Sequence, residues 1–340
     1  MNKTQMSNEI AEIPAVVQFQ IDEHMHKYLE VGYELASRTG PIITCARGTS
    51  DQAAQYFKFL VESGLGRPVT SMPPSIASVY QTQLQLKGGV CLAISQSGGS
   101  PDLLALQNAA RNGGALGISI LNTIPSPMSS NIDYSLHLGA GKENAVAATK
   151  SFVASLVAVA SIYAGMKNDT SLIEGLRWLP NALSQSLGMD WSNAIDLFKN
   201  SQSVFVLGRG AGHAIAGEAS LKLKETCQIH AESYSAAEVQ HGPMVLARKK
   251  LAVLAFLPED EGRESVLKAA RILSESGARV LTVGGSSSDI GNLLSVKSPH
   301  ALLNEICQIT SFYKFVEQLS CHMGLNPDTP PMLKKVTETV

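Results

Sequence analysis

The sequence predicts an α/β protein built from two tandem doubly wound parallel-sheet domains. Three observations carry that prediction. The chain has 340 residues, more than one hydrophobic core ordinarily serves, so two domains of roughly 150 residues each are expected. Short apolar runs bounded by glycine alternate with amphipathic stretches of helical length, an order that gives parallel strands covered by helices on both faces. The whole pattern then occurs a second time.

The first copy opens with PIITCARGTSDQAAQYFKFLVESG, an apolar strand, a turn at Arg47 and Gly48, and a helix. The second opens with SVFVLGRGAGHAIAGEASLKLKE, turning at Arg209 and Gly210, an offset of 162 (209 − 47). Further along, CLAISQSGGSPDLLALQNAARNGGALGISILN matches LAVLAFLPEDEGRESVLKAARILSESGARVLTVGG, and aligning Ala115 with Ala278 gives 163 (278 − 115). Each copy therefore reads strand, helix, strand, helix, strand.

In chain order, residues 1–30 form a helical leader with Pro14 early, and residues 31–166 form the first domain. That domain closes with Ser151 to Met166, an apolar stretch without a charge. It is shorter than the ~20 residues of a membrane span, and its Ala and Ser content predicts a buried helix. Residues 167–195 read as one or two crossing helices, 196–325 as the second domain, and 326–340 as an irregular tail containing Pro327, Pro330 and Pro331.

Composition excludes several classes. A net charge of −2 gives no basic field for nucleic acid or anionic lipid, so neither a nucleic-acid nor a membrane partner is expected. The opening residues carry acids and no long apolar core, unlike a secretion signal, and a cytoplasmic protein is expected. The cysteines (Cys45, Cys91, Cys227, Cys307, Cys321) are odd in number and lack CxxC spacing, which reads as reduced core residues. His24 and His26 form an HxH without a Cys/His cluster, so no metal site is expected.

The stretch ISQSGGSPD carries the first chemistry. Ligands of open α/β sheets bind beyond the carboxyl ends of the strands, and Ser95, Gln96, Ser97 and Ser100 stand at such an end, before a helix. Their hydroxyls and the free N–H groups of the helix start would make a neutral cradle for a dianion such as phosphate. Helix capping by Ser100 and Asp102 accounts for one or two of these residues, not for SQSGGS as a whole. At the ARGTSD turn, capping and ligand binding by Thr49, Ser50 and Asp51 are equal readings. If both loops serve one ligand, the first domain binds a small phosphorylated molecule.

The second domain has FLPEDEG in place of that cradle, and its three acids would repel phosphate. It offers LKLKETCQIHAESYSAAEVQHGP instead. On a helix from about Ala214 to Gln228, Glu218, Lys222 and Glu225 share one face, which on an isolated helix is a solvated ion-pair ladder. Downstream, Glu232, Glu238 and His241 lie in a loop of small residues ending in Gly-Pro. A carboxylate, a lysine and a histidine at one ligand would move protons between carbon and oxygen.

The paired repeats, ISQSGGS, AVAATKSF and ASLKLKETCQIHAESYSAAEVQHGP together resemble the sugar isomerase (SIS) family. More narrowly they are similar to the isomerase half of glucosamine-6-phosphate synthase, from about Gly40 to the end of the chain. The glutaminase half of that synthase has no counterpart in this sequence, so the resemblance points to the stand-alone type II glucosamine-6-phosphate deaminases, which form fructose 6-phosphate and ammonia. It implies that Ser50, Ser95, Gln96, Ser97 and Ser100 bind phosphate, and that Thr49 and the backbone around Val146 and Ala148 face the sugar. It implies Glu225 as the base that shuttles a proton between C1 and C2, with Lys222 one turn before it. His241 would be the ring-opening histidine, contributed across the subunit interface of a homodimer, and Lys335 the tail lysine able to form an imine with the open sugar. Ala148 and Lys334 stand where the synthase pattern has serine and alanine, so the contacts of those two side chains are not carried over. No metal or organic cofactor is implied. The resemblance leaves open galactosamine 6-phosphate or a 6-phosphorylated fructosamine as substrate, amination with free ammonia, and a non-catalytic sugar-phosphate sensor. Against the sensor, the sequence contains no basic helix-turn-helix segment.

Overall fold

A computed structural model of the chain describes residues 3–247, 250–286 and 290–335. The leader forms α1 (Gln5–Ala11), α2 (Ile13–Glu23) and α3 (Met25–Ala36). There follow β1 (Ile42–Cys45), α4 (Gly48–Leu65), β2 (Val69–Ser71), α5 (Ser75–Ser78), β3 (Val90–Ser95), α6 (Pro101–Asn112), β4 (Leu116–Leu121) and β5 (Tyr134–His137). Helices α7 (Lys150–Lys167), α8 (Thr170–Leu187) and α9 (Ile195–Lys199) precede the second repeat. That repeat comprises β6 (Ser203–Gly208), α10 (Ala211–Cys227), β7 (Ala231–Ser235), β8 (Leu251–Phe256), α11 (Arg263–Glu275), β9 (Arg279–Val283), β10 (Asn292–Leu293) and α12 (Asn304–His322).

Both sheets are parallel throughout, with orders β2-β1-β3-β4-β5 and β10-β9-β8-β6-β7, which are the same winding read from opposite edges. The α/β class and the tandem repeat predicted from the sequence are what the chain forms. The central strands β1, β3, β6 and β8 are apolar runs buried on both faces or nearly so, as a helix-covered parallel sheet requires. The strands that the alternation does not predict are all at or beside the edges: β2, β5, β7 and β10. They are short and polar, so no apolar run marks them. One of them corrects the reading of HAESYS as loop, because Ala231–Ser235 pairs in parallel with β6 from Val204↔Ala231 to Gly208↔Ser235.

The chain divides into two compact units, one of Met1–Pro14, Asn144–Thr149 and Trp178–Leu333, the other of Ala15–Glu143, Lys150–Arg177 and Lys334–Val340. The unit holding the second repeat thus also takes in α1, residues 144–149 and most of the tail. The Asp328 carboxylate accepts the N–H groups of Gln5 (2.8 Å) and Met6 (2.7 Å), capping α1. The Asp328 carbonyl accepts Val146 N–H at 3.1 Å. Thr4 donates to Glu317 of α12 at 2.7 Å, and the fully buried Glu9 carboxylate accepts the N–H groups of Asn144 and Ala145.

In the other unit, α7 is buried along almost its whole length, the expected state of a helix apolar all round. Its close partner is α3, and glycine sets the spacing: a Cβ on Gly32 would lie 2.2 Å from the Ile162 carbonyl, and one on Gly165 would lie 2.5 Å from the Leu29 carbonyl. No described helix is long and apolar enough to cross a membrane.

Two predictions follow from this packing. G32A must push the α3 and α7 backbones apart, and overpacking of this kind costs about 1–3 kcal/mol, so thermal unfolding should show a clearly lowered Tm; an unchanged Tm would contradict the close crossing. The second concerns Glu305, buried in the first turn of α12, where burial first, then the Asp260 and Glu259 carboxylates, push its pKa up to about 8. Folded, it holds a proton that the unfolded chain releases near 4.5, so stability falls as pH rises through that interval and the loss is complete above about 8. E305Q removes the linkage. Denaturant titrations at pH 5 and pH 8 should show a smaller pH dependence for the variant than for the wild type, and equal slopes would refute the assignment.

Candidate functional site

In the first sheet the winding reverses between β1 and β3, and the crevice beyond their carboxyl ends is the ligand position of such sheets. The loops that flank it are 46–50 and 96–100. Gly98 has φ +63°, and a Cβ there would lie 2.3 Å from Ser126 Oγ, so the turn requires glycine. Ser95 Oγ accepts Gly98 N–H at 3.1 Å and Ser97 Oγ accepts Gly99 N–H at 3.3 Å. These hydroxyls shape the loop as acceptors and keep their own protons to donate. Ser50, Gln96 and Ser100 are partly buried, and their side chains make no hydrogen bond among the described residues. Ser100 occupies the cap position of α6 without a side-chain capping bond, so capping does not explain it.

Asp102 has a different task. Its buried carboxylate accepts Arg47 Nε at 3.0 Å and Nη2 at 2.8 Å, a charge-assisted pair that straps the turn after β1 to the start of α6. The two loops are therefore fixed against each other. Asp51, in the first turn of α4, accepts a hydrogen bond from Ser71, and burial raises its pKa. A cavity of about 440 Å³ beside this turn is lined by Arg47, Gly48, Asp51, Ser71 and Met72. It opens on the β2 side and is not lined by residues 95–100.

In the second repeat, the Glu218–Lys222–Glu225 row is not a solvated ladder. Lys222 and Glu218 are fully buried, and Glu225 is 23% exposed. Lys222 Nζ lies 2.5 Å from Glu225 Oε2 and 3.3 Å from Glu218 Oε1. Burial alone would lower the Lys222 pKa, but the two carboxylates outweigh it and hold the amine firmly as an ammonium. Tyr313 of α12 donates to Glu218 Oε1 at 2.8 Å. The helix end is held by Ser320 Oγ, which donates to the Thr226 carbonyl at 2.7 Å. Through α12, Thr4 and Asp328, this end of α10 belongs to the same hydrogen-bonded neighbourhood as Val146. Val146 and Ala148 are both partly buried.

His241 lies elsewhere. It is exposed, and its backbone N–H bonds to the Glu238 carbonyl at 2.9 Å. Helix α10 runs back along the sheet, so Glu225 sits near the edge where β6 begins, beside the Val204 N–H bond to the His230 carbonyl. His241 follows the other end, where Ala236 N–H bonds to the Gly208 carbonyl. The structure brings Lys222 and Glu225 together and leaves His241 of the same chain apart from them.

Lys335 Nζ is 3.2 Å from Glu143 Oε2, a buried carboxylate that also accepts Ser151 Oγ at 2.7 Å. Sequence reasoning missed Glu143, Tyr313 and the Arg47–Asp102 strap. An acid next to a run of small residues, ahead of a charge-free helix, was the available signal for Glu143; Tyr313 lies in an aromatic-rich helix and carried none. Among the described residues no group of three or more His, Cys, Asp or Glu side chains is placed to hold a metal ion.

Comparison with known proteins gives this geometry a context. Residues 35–164 and 197–315 match the SIS domain. A glutamine--fructose-6-phosphate aminotransferase [isomerizing] of Sulfurisphaera tokodaii is 31% identical over 340 residues, 97% of this chain. The match covers 56% of that relative, so the chain spans about half the length of the curated relatives it matches. A crystal structure from Silicibacter pomeroyi, assigned as a phosphosugar isomerase, superposes with a TM-score of 0.91 at 38% identity, covering 96% of this chain and 100% of the other. The C-terminal domain of glucosamine-fructose-6-phosphate aminotransferase from Francisella tularensis superposes with a TM-score of 0.87 at 25% identity, covering 96% and 98%. With both repeats matched, the chain belongs to the SIS domain family.

Proposed function

We propose that the protein isomerises a 6-phosphorylated amino sugar between aldose and ketose forms and releases its nitrogen as ammonia, with glucosamine 6-phosphate as the substrate. The observation that carries this reading is the buried cluster in which an ammonium fixes one carboxylate, Glu225, with an edge exposed. A base that takes hydrogen from carbon needs this kind of fixed, partly desolvated carboxylate. The serine-rich loop supports recognition of the phosphate without a lysine. The similarity to the isomerase portion of the fructose-6-phosphate aminotransferases supports the sugar class.

In this scheme Ser50, Ser95, Gln96, Ser97 and Ser100 bind the phosphate, and Thr49, Val146 and Ala148 line the sugar. His241 passes a proton from the O1 hydroxyl to the ring oxygen, which breaks the C1–O5 bond and exposes a C1 carbonyl. Glu225 removes the C2 hydrogen as the carbonyl oxygen takes up a proton, then returns hydrogen at C1. The nitrogen is left as a C2 imine, which water hydrolyses to a ketone and ammonia. Lys222 acts through Glu225, and Lys335 stabilises the developing oxyanion. Because His241 and Glu225 of one chain occupy opposite ends of one sheet, the histidine is assigned to a second copy, in a homodimer.

E225Q should lower kcat by a factor of ~10² to 10⁴ in an assay of ammonia release, while inorganic phosphate still protects the variant against thermal unfolding. S97A should mainly raise KM. Retention of most of the E225Q rate would remove the base assignment. A wild-type protein that binds glucosamine 6-phosphate but releases no ammonia from it or from galactosamine 6-phosphate would remove the deaminase reading.

A further inference from the structure

The ammonium of Lys222 is shared between two carboxylates, and the sharing is unequal, 2.5 Å to Glu225 against 3.3 Å to Glu218. The two acids sit on the same helix, on either side of the lysine, and Glu218 is the more deeply buried. A fully buried carboxylate ordinarily draws a neighbouring cation strongly, so the short contact should fall to Glu218. It does not. One difference between the acids is Tyr313, whose hydroxyl donates at 2.8 Å to Oε1 of Glu218, the oxygen that faces Lys222.

From this geometry we propose that Tyr313 is a positioning residue: by occupying the lysine-facing oxygen of Glu218, its hydroxyl releases the Lys222 ammonium toward Glu225 and so sets the placement and charge of the base. A hydrogen bond stabilises part of the charge on Glu218 without a cation, and what the phenol supplies the ammonium need not. Tyr313 is itself fully buried, so its hydroxyl has no water to turn to. The inference rests on the role given to Glu225 above, but the interaction chain exists independently of the substrate.

Some of the elements packed on α10 carry titratable groups of their own. Helix α10 packs on β6, β7, β8 and α12. β6 and β8 carry no titratable side chain. In β7, Glu232 accepts from Tyr234. In α12, Glu317 accepts from Thr4 and Cys321.

Two substitutions push the shared ammonium in opposite directions. In Y313F, Glu218 loses a donor and takes more of Lys222. Glu225 then loses part of its cation, and the acid limb of the pH–rate profile moves up. In E218Q, Lys222 loses one of its two carboxylates and leans further on Glu225, and the limb moves down. A purely structural role for the hydroxyl would lower the rate at all pH values or lower Tm and leave the limb in place. The same shifts are to be read without substrate, by carboxyl-carbon NMR titration of protein labelled with ¹³C glutamate, with the Glu225 resonance identified by its loss in E225Q. Opposite displacements of that resonance in Y313F and E218Q establish the relay even if no amino sugar phosphate is turned over, an outcome that sinks only the deaminase reading. Coincident Glu225 titrations in Y313F and wild type, or displacements of the same sign in the two variants, overturn the proposal.

Discussion

The constraint on which the second repeat depends is the burial of one ammonium between two carboxylates. An isolated Lys222 in that position would be neutral or would not be buried, because desolvation of a single charge costs several kcal/mol. Glu218 and Glu225 make burial tolerable only if helix α10 is continuous from residue 218 to residue 225, since the i, i+4 and i, i+3 spacings place both acids beside the same nitrogen. The cluster therefore demands its helix and demands a dry cover. Helix α12 provides that cover with Tyr313 and with the Ser320 bond that closes the end of α10. Removing Lys222 would leave two neighbouring carboxylates without their cation, so geometry is enforced by the energetic asymmetry between a complete cluster and one without its ammonium.

Duplication explains why one winding supports two kinds of chemistry. Both sheets reverse at the same place, between β1 and β3 and between β6 and β8. In the first, the loop after β3 is small, hydroxyl-rich and neutral, and the Arg47–Asp102 strap holds it against the turn after β1. In the second, the corresponding arginine, Arg209, donates to Ser235 instead, and the loop after β8 carries Glu259, Asp260 and Glu261. The proposed phosphate site thus has a neutral lining, whereas the corresponding loop of the second repeat is acidic. The carboxylate proposed as the base, Glu225, lies away from that crevice, toward the far end of α10.

This divergence determines what was legible in the sequence. The central strands were legible because a strand buried on both faces must be a short apolar run, and IITC, VCLAIS, SVFVLG and LAVLAF each announce themselves. The edge strands were not, because one side of each faces no partner strand and the requirement for apolar residues lapses; AESYS reads as loop on composition. Lys222 and Glu225 were legible as a pair, since helical spacing fixes their contact, but their burial was not, because it depends on α12, nearly a hundred positions further on. The same holds for Lys335 and Glu143, where the contact spans 192 positions. Local pattern specifies which side chains share a face, and only tertiary packing specifies whether that face is wet.

The tail and leader show how such packing reaches the C-terminal end of α10. Asp328 uses its two kinds of oxygen for two purposes: the carboxylate caps α1, and the carbonyl takes the Val146 N–H. Prolines at 327 and 330 restrict the backbone on either side, which lowers the entropy lost when the tail settles into one conformation. Glu9 of α1 then accepts the N–H groups of Asn144 and Ala145, so segment 144–146 is held through backbone groups from both directions. Backbone held in this way has little freedom to depend on its own side chains.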